Sequence, residues 1–443
     1  MKFQAPKGTR DYLPEEMIAR QQAIDRIKTI FETFGFQPLE TSALESWEVL
    51  SAKGAGGSDV LKETYNFKDL GGKRIGLRYD LTVPLARVIA SNPSIPLPFK
   101  RYQIQNAWRY GDVTKGRFRE FLQADIDTIG SSSMIADSEI IACAISAFIA
   151  LGFKKFFVRL NNRKILTALI KYIGLETELM EIRMEKGIED MTMNIFRAID
   201  KLEKIGLEGV KHELSNLGIS KKMIEKIVSF IEIKGDSDSV LKKADKMLGD
   251  IKEGAEGIDE LKQIIKYLKK MGVKPESIKI DLSLARGLDY YTGPIFEVFA
   301  EEEIGSLAGG GRYDKMIGLF LGRNIPATGI SFGIERIIEV MKNRKMIKQG
   351  KSKTKVFVAA VNDEVRDDVL RIVQDLRSNY ISSDFDVRGR KLTKQLEYVD
   401  ALGIPYAIIV GEKEIKENRF KLKDMKKKVE KELGLEEIVK LVK

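Results

Sequence analysis

The sequence predicts an α+β protein in which an antiparallel sheet flanked by helices is interrupted by a helical insertion and followed by an α/β domain. Three observations predict this fold class. Paired strand-like segments with alternating polar residues lie in the first third of the chain. Residues 174–268 instead carry Lys, Glu, Leu and Ile at helical spacing, without a convincing strand. Beyond a basic linker, apolar strands alternate with helices, which is typical of a mostly parallel sheet.

Changes in composition predict where these parts begin and end. The main domain is expected in two pieces, 1–173 and 269–341, on either side of the helical insertion 174–268. A polar, basic linker, 342–355, precedes the α/β domain, 356–443. A chain of 443 residues is too long for a single hydrophobic core, so several domains are expected.

The composition also limits the classes of function. The single cysteine, Cys143, and the single histidine, His212, exclude an internal disulfide and a zinc site of the usual type, and no metal-binding side chains are predicted. Cys143 is expected inside a buried helix and His212 at the surface. The net charge of +10 favours a polyanionic partner such as nucleic acid. We read no signal peptide and no apolar run of membrane-spanning length, so a cytoplasmic protein without a membrane partner is expected.

The elements follow in chain order from the spacing of apolar residues. An amphipathic helix is predicted from about Glu15 to Phe34, and two polar strands follow it. The first part ends with a helix at Asp137–Leu151, a strand at Lys154–Leu160 and a helix at Asn162–Tyr172. In the α/β domain, the strands KVFVAAV, SSDFDVRG and PYAIIVG alternate with helices at Asp363–Asn379 and Lys394–Leu402.

A basic C-terminal stretch predicts contacts with nucleic-acid phosphates. The alternative is a solvated helix face, which suits Lys426, Lys427 and Lys428 if they lie on a helix.

The most informative feature is a set of strands whose polar residues alternate. Two strands within Lys100–Asp127 place Arg101, Gln103, Gln105 and Arg109 on one face, and Gln123, Asp125 and Asp127 on the other strand's matching face. A third strand is predicted in IGLRYDLTV, where Arg78, Asp80 and Thr82 alternate with apolar residues. A solvated outer face is the simple interpretation. The density of Arg, Gln and Asp favours a sheet floor that binds a small, zwitterionic and phosphorylated ligand.

Three further motifs carry candidate residues. Arg286, in ARGLDYYTG, ends a predicted strand and suits a phosphate or a carboxylate, although an ion pair with Asp289 or Asp314 is the alternative. The three glycines of GGGRYD predict either a close backbone approach or a tight hairpin. Arg336, in GISFGIERI, lies near a helix start, where a nucleotide would fit or where it would simply be exposed.

In their order along the chain, these motifs resemble the histidyl-tRNA synthetases, which are class II aminoacyl-tRNA synthetases. The segment with Trp108, Arg109 and KGRFREF is similar to motif 2 of that class, and GISFGIERI to motif 3. RGLDYYTG and GGGRYD resemble two signatures of the histidyl family. The resemblance implies a class II antiparallel sheet in a catalytic domain and a C-terminal anticodon-binding domain.

The resemblance also implies which residues bind ATP. Arg109 would hold the α-phosphate and Arg336 the γ-phosphate, while Arg286 would be the catalytic arginine on the reacting carboxylate and α-phosphate. Many members carry an acidic residue two positions after the motif 2 arginine, where it meets adenine. Gly111 stands there in this chain, so the adjacent Asp112 is the candidate for ATP binding.

The residues implied for histidine binding are Asp80, Thr82, Gln123, Asp127, Tyr290 and Tyr291. The first three would hold the α-amino group. Asp127 and Tyr291 would recognise the imidazole ring, with Tyr290 adjacent.

The implied reaction joins histidine to tRNA(His) with ATP and Mg²⁺, in a homodimer. The histidine carboxylate attacks the ATP α-phosphate, pyrophosphate leaves, and the 3′-terminal hydroxyl of the tRNA then accepts the aminoacyl group. The first step needs no general base because the nucleophile is already ionised, so positioning and charge stabilisation suffice. The alternatives are a non-catalytic regulatory paralogue of ATP phosphoribosyltransferase and a class II synthetase for another amino acid.

Overall fold

The structure, a computed structural model, describes residues 3–52, 57–114, 116–174, 191–285, 290–300, 305–347 and 350–443. The chain divides into two units. The first comprises the residues up to Arg10 together with Ile24–Arg344, and the second comprises Asp11–Ala23 together with Lys345–Lys443.

The strands of the first unit are β1 (Gln37–Pro38), β2 (Leu44–Ser46), β3 (Asn66–Lys68), β4 (Arg74–Leu77), β5 (Phe99–Trp108), β6 (Glu120–Ile129), β7 (Phe156–Asn162), β8 (Ile278–Ile280), β9 (Pro294–Ala300), β10 (Ala308–Arg312) and β11 (Ala327–Gly333). Eight of them form one sheet in the order β1-β5-β6-β11-β10-β9-β7-β8, and β2-β4-β3 form a small second sheet. In the large sheet only the outermost pairings at each edge are parallel. The predicted α+β class with a largely antiparallel sheet is therefore confirmed.

The helices in the chain up to Asn343 are α1 (Pro14–Thr33), α2 (Trp47–Leu50), α3 (Gly57–Lys62), α4 (Thr82–Ser91), α5 (Met134–Leu151), α6 (Arg163–Tyr172), α7 (Met191–Asp200), α8 (Leu202–Asn216), α9 (Lys221–Ile231), α10 (Ser237–Leu248), α11 (Lys252–Lys270), α12 (Gly318–Leu321) and α13 (Ile334–Asn343), with a 3-10 turn at Pro275–Ser277. The predicted helices near Glu15, Asp137 and Asn162 are confirmed as α1, α5 and α6. In the described part of the insertion, 191–268, the regular structure consists of helices.

The α5 helix forms the centre of the core beneath the large sheet. It packs against β6 and β11, and Cys143 lies buried within it, as predicted. Its 18 residues are long and apolar enough to span a membrane, so the expectation that no apolar run reaches that length was wrong. Because 72% of the helix is buried inside the protein, it has the character of a core helix.

The prediction of a third polar strand in IGLRYDLTV was wrong. The strand β4 ends at Leu77, belongs to the small sheet, and gives way to α4 at Thr82. Pro84 explains the difference, because proline lacks an N–H for a central strand but is tolerated in the first turn of a helix. Arg78 consequently leaves the polar set, and its guanidinium donates to the backbone oxygens of Thr41 (2.7 Å) and Asn106 (2.8 Å).

The three glycines lie in the middle strand β10, not in a hairpin. A side-chain carbon on Gly310 would lie 1.9 Å from the backbone oxygen of Gly329 on β11, and one on Gly311 would lie 2.9 Å from the Tyr291 ring. Close approach of neighbouring groups, the first of the two interpretations, is therefore the reason for glycine here.

The second unit has a five-stranded sheet. Its strands and helices are β12 (Val356–Ala360), α14 (Arg366–Ser378), β13 (Ser383–Phe385), α15 (Leu392–Ala401), β14 (Tyr406–Val410), α16 (Glu412–Glu417), β15 (Phe420–Asp424), β16 (Val429–Leu433) and α17 (Leu435–Val442). The order is β13-β12-β14-β15-β16, with parallel pairing among the first three strands, as the alternation of strands and helices predicts.

The alternative interpretation of Lys426, Lys427 and Lys428 as a solvated helix face was wrong, because they do not lie on a helix. These lysines form the turn between the antiparallel strands β15 and β16. The Asp424 carboxylate accepts the backbone N–H groups of Lys426 (3.1 Å) and Lys427 (2.9 Å), which stabilises a turn instead of a helix.

Candidate active site

A cleft of about 810 Å³ opens on the polar face of the large sheet. Its floor is formed by β6, β9, β10 and β11, and its walls by the segment before α4, the β5–β6 loop and the start of α13. Asp200, Glu203 and Lys204 from the helical insertion also line it. Groups of both charges therefore meet in one cavity.

Strand β6 positions three polar side chains in a row on the cleft floor. Its neighbours β5 and β11 place Gln105 and Gly333 beside Gln123, Gln103 and Ser331 beside Asp125, and Arg101 and Gly329 beside Asp127. All three β6 side chains are buried, with exposed fractions of 8%, 2% and 3% in chain order. The predicted solvated outer face is therefore excluded for this strand.

Asp127 is held by two buried partners. Its carboxylate lies 2.7 Å from an Arg101 guanidinium nitrogen and accepts a hydrogen bond from the Tyr313 hydroxyl. Burial raises the pKa of Asp127, and the charge of Arg101 opposes that shift. Burial also raises the pKa of Tyr313 well above its usual value, so that its hydroxyl remains a donor. This cluster presents a rigid polar surface at one end of the floor.

Asp125 has far fewer partners than its neighbour. It makes no ion pair with any residue in the described part of the chain, and its Oδ1 atom has no hydrogen-bond donor there. Burial raises the pKa of Asp125 to about 7. The charge of Arg101 opposes this rise, and repulsion from Asp127 and Asp80 adds to it.

Asp80 enters the cleft from the start of α4. Its carboxylate accepts the backbone N–H of Val83 at 3.0 Å, which anchors it to the first helical turn beside Thr82. Burial raises its pKa, and the charge of Arg109 acts in the opposite direction. Arg109 itself donates to the backbone oxygen of Tyr79 at 2.8 Å, so both residues are tied to one segment.

The opposite end of the cleft is positively charged. Arg336 projects from α13 and donates to the backbone oxygen of Ser306 at 2.8 Å. Burial lowers its pKa, and the nearby charge of Arg117 contributes to this. A side-chain carbon on Gly305 would lie 2.9 Å from the Arg336 guanidinium, and one on Gly116 would lie 3.8 Å from Arg336 Cβ.

The cleft brings together most of the residues predicted from the sequence. Those that line it are Asp80, Thr82, Arg109, Gln123, Asp127, Tyr290, Tyr291 and Arg336. Tyr290 and Tyr291 lie with ring centroids 4.8 Å apart, and Tyr290 also contacts the Tyr313 ring. Asp112 is exposed and is not among the lining residues. Arg286 lies outside the described residues.

Sequence reasoning did not select four residues that shape this site: Arg101, Asp125, Tyr313 and Ser331. The first two were visible on the polar strand faces, and Tyr313 belongs to the GGGRYD signature. Ser331 gave no signal, because only the pairing of β11 with β6 places it beside Asp125.

The described side chains offer few ligands for a metal ion. Among the described residues, no group of three or more His, Cys, Asp or Glu side chains is arranged to hold a metal ion. Mg²⁺ commonly needs only one or two carboxylates when substrate phosphates supply other ligands. Glu297 on β9 lines the cleft, and its charge raises the pKa of Arg336 against the effect of burial. Its carboxylate therefore suits Mg²⁺ that is bound together with phosphates.

Two family models match the chain in succession. The model described as histidyl-tRNA synthetase matches residues 8–337. The model described as an anticodon binding domain matches residues 355–443. Together they account for nearly the whole chain.

Relatives and solved structures agree with these matches. Histidine–tRNA ligase of Thermococcus kodakarensis is 37% identical over 445 residues, covering 98% of each chain. That of Aeropyrum pernix is 40% identical, covering 92% of this chain and 90% of the relative. The crystal structure of histidyl-tRNA synthetase from Nostoc sp. PCC 7120 has a TM-score of 0.86 and 31% identity, with 100% of this chain and 99% of that chain covered. A Bacillus halodurans protein described as an ATP phosphoribosyltransferase regulatory subunit/histidyl-tRNA synthetase, at 22% identity and a TM-score of 0.74 over 93% of this chain and 99% of that chain, shares the fold.

Proposed function

The chain belongs to the histidyl-tRNA synthetase family, and we propose that its cleft activates histidine with ATP and transfers it to the 3′ end of tRNA(His). One observation carries this proposal. A single cleft joins buried acceptors suited to an amino acid, around Gln123 and Asp127, to arginines suited to phosphates, Arg109 and Arg336. This is the charge distribution that histidine and ATP need when they react side by side.

The first half-reaction depends on positioning. The ionised histidine carboxylate attacks the ATP α-phosphate and pyrophosphate leaves, so the residues must align two anions and offset their repulsion. Arg109 and Arg286 are proposed at the reacting groups and Arg336 at the γ-phosphate. Mg²⁺, held by Glu297 and the phosphates, would supply further neutralisation of charge. Asp112 is proposed for the adenine contact from its place beside Gly111 in motif 2, although it is exposed and does not line the cleft.

Histidine recognition is assigned to the floor and the tyrosines. Asp80, Thr82 and Gln123 would hold the α-amino group. Asp127, fixed by Arg101, would accept from the imidazole, with Tyr291 and Tyr290 closing the ring pocket. A site built from buried hydrogen-bonding groups discriminates strongly against amino acids that leave those groups unpaired.

The second unit is proposed to bind the anticodon arm. A cavity of about 360 Å³ lies at the carboxyl ends of its parallel strands, lined by Arg366, Arg390 and Lys391. Arg390 is oriented by Asp386 at 2.5 Å and lies over the Tyr398 ring. We propose the domains 1–173 with 269–341, 174–268 and 356–443, joined by the linker 342–355, in a cytoplasmic homodimer.

ATP–pyrophosphate exchange with each standard amino acid tests the activity. Exchange with histidine alone, followed by charging of tRNA(His), is the expected result. Exchange with another amino acid would indicate a different synthetase, and no exchange with any amino acid would favour the regulatory paralogue.

Arg286→Lys tests the assignment of the catalytic arginine. Lysine keeps the charge but loses the planar fork, so exchange should fall by on the order of 10²–10³-fold in a folded protein. Arg371→Lys, at a residue whose side chain is 69% exposed, is the matched control and should exchange normally. Normal exchange by Arg286→Lys would remove Arg286 from the mechanism.

A further inference from the structure

Among the described residues, three buried acceptor atoms on the cleft floor have no hydrogen-bond donor, and one of them, Asp127 Oδ2, has Arg101 as an ion-pair partner at 2.7 Å. Gln123 Oε1 and Asp125 Oδ1 are both without a hydrogen-bond partner among the described residues, although both side chains are more than nine-tenths buried. They lie two residues apart on β6, on the face that lines the cleft. Buried acceptors are rarely left unpaired, because the loss of hydration is costly.

Ser331 fixes which atoms remain available. Gln123 Nε2 donates to Ser331 Oγ at 2.6 Å, and the Ser331 hydroxyl is hydrogen-bonded in turn to the Asp125 carboxylate. The amide orientation of Gln123 is therefore set by this bond, with its oxygen turned away from Ser331. The two unpaired atoms belong to one ordered chain of hydrogen bonds.

In the described part of the chain, no cationic side chain is ion-paired with Asp125. Arg101 is paired with Asp127, which has Tyr313 as its second partner. The charge of Arg101 also acts on Asp125 favourably, and the like charges of Asp127 and Asp80 oppose it. An ionised Asp125 is therefore buried without an ion pair of its own among the described residues, a state that a bound cation would relieve.

We propose that Asp125 is a further substrate-binding residue, whose carboxylate binds the α-ammonium group of histidine together with Gln123. This inference rests on the proposed function and extends its substrate site by one residue. The ammonium group carries a full charge and three N–H donors, which match two adjacent acceptors and the nearby Asp80. A neutral imidazole ring offers one N–H donor and one acceptor, so it fits the paired Asp127–Tyr313 end of the floor better.

Binding of two histidine analogues to the full-length protein separates these assignments. Histidinol keeps the ring and the ammonium group, whereas imidazolepropionate keeps the ring and lacks the ammonium group. In calorimetric titrations, Asp125→Asn should bind histidinol about 10- to 100-fold more weakly than the unmodified protein, because a charge-assisted hydrogen bond is lost. Binding of imidazolepropionate should change by less than about threefold. Asp245→Asn, which removes an exposed carboxylate paired with Lys262, is the matched control.

The other outcomes each have a distinct meaning. Equal loss for both analogues would place Asp125 at the ring and overturn the assignment to the ammonium group. Unchanged histidinol binding would mean that water alone satisfies Asp125, which also overturns it. If the unmodified protein binds neither histidine nor histidinol, the proposed function fails, whereas a failure confined to the variant leaves that function intact.

A second variant guards against misfolding. Ser331→Ala removes only the hydroxyl that orients Gln123 and Asp125. It should weaken histidinol binding by roughly three- to tenfold and affect imidazolepropionate less. Equal effects on the two ligands in this variant would contradict the proposal independently of Asp125→Asn.

Discussion

Asp125 and Asp127 show how one residue type, two positions apart on one strand face, comes to have two different environments. Asp127 meets Arg101 from β5 and Tyr313 from the segment after β10, so its charge is balanced within the protein, although its Oδ2 atom has no hydrogen-bond donor among the described residues. Asp125 meets Gln103 and Ser331, which supply no charge. Neighbouring strands therefore fix one carboxylate with a counter-ion, which suits a neutral N–H donor, and leave the other without an ion pair, which suits a cationic group.

Tyr313→Phe should raise the KM for histidine with little change in the KM for ATP. The ring and its packing remain, but Asp127 loses the hydroxyl that orients it, which we expect to cost roughly tenfold in kcat/KM for histidine. Tyr380→Phe, at a residue that is 96% exposed, is the control and should leave both constants unchanged. Steady-state exchange kinetics with each substrate varied in turn provide the measurement. A larger effect on ATP than on histidine would assign Tyr313 to the nucleotide side.

Asp125 should also make the stability of the ligand-free protein depend on pH. Its pKa is raised from 3.8 to about 7 by burial, with Arg101, Asp127, Asp80 and Ser331 as the groups that act on it. A raised pKa means that the folded state binds the proton more tightly, so stability is present at low pH and is lost as the pH rises toward 7.

Asp125→Asn should remove the loss of stability that occurs as the pH rises toward 7, because asparagine does not ionise. The free energy of unfolding of the variant minus that of the unmodified protein should therefore increase between pH 3.8 and about 7 and then level off. Urea denaturation of both proteins across this range measures the difference. A difference that does not vary with pH would contradict the buried, ligand-free state of Asp125.

At the scale of elements, the site depends on how closely β11 approaches its neighbours. Gly329 lies beside Asp127 on β6, and a side-chain carbon there would lie 1.9 Å from the Asp127 carboxylate. No left-handed backbone angle is involved, so the requirement for glycine is one of space. The start of α4 also shapes the site, because the backbone N–H of Val83 in its first turn holds the carboxylate of Asp80 in place.

Gly329→Ala should impair both the fold and the site. We expect a loss of about 1–3 kcal/mol in unfolding free energy from overpacking, and a raised KM for histidine because Asp127 must move. Gly350→Ala is the matched control, because its nearest contact would be an ordinary 3.8 Å. Urea denaturation and exchange kinetics report the two effects. Unchanged stability and KM in Gly329→Ala would show that the strand spacing can adjust.

At the scale of the whole molecule, the residues proposed for the chemistry and those proposed for the anticodon arm belong to different units. The residues that line the cleft lie between Asp80 and Arg336, in the first unit. The basic turn at Lys426–Lys428 and the arginine-lined cavity belong to the second unit.

A chain that ends at Met346 should therefore separate the two half-reactions. Histidine-dependent exchange should survive, whereas charging of tRNA(His) should fall steeply because phosphate contacts supply much of the affinity for nucleic acid. Comparing exchange and charging for the truncated and intact proteins, with circular dichroism as the check on folding, decides the matter. Equally efficient charging by both would mean that the second unit does not bind the anticodon arm.

The sequence by itself determined the family and most of the elements, apart from the segment around Asp80 and the turn at Lys426–Lys428. Periodicity of apolar residues predicted α1, α5, α6 and the strands β5 and β6, because an element that buries one face must repeat apolar residues at its own period. The order of the motifs predicted the family that the comparisons confirm. Alternation also placed Gln123, Asp125 and Asp127 on one face, since side chains two apart on a strand point the same way.

Only the tertiary structure decided what each of those side chains meets. The segment around Asp80 is a helix start because Pro84 suits a first helical turn, although alternation favoured a strand. Arg101, Tyr313 and Ser331 reach the cleft floor through pairings between strands that are distant in sequence, and local spacing does not encode those pairings. The burial of Asp125 and its lack of an ion pair among the described residues arise from the same pairings, because the neighbouring strands decide which charged groups lie beside it.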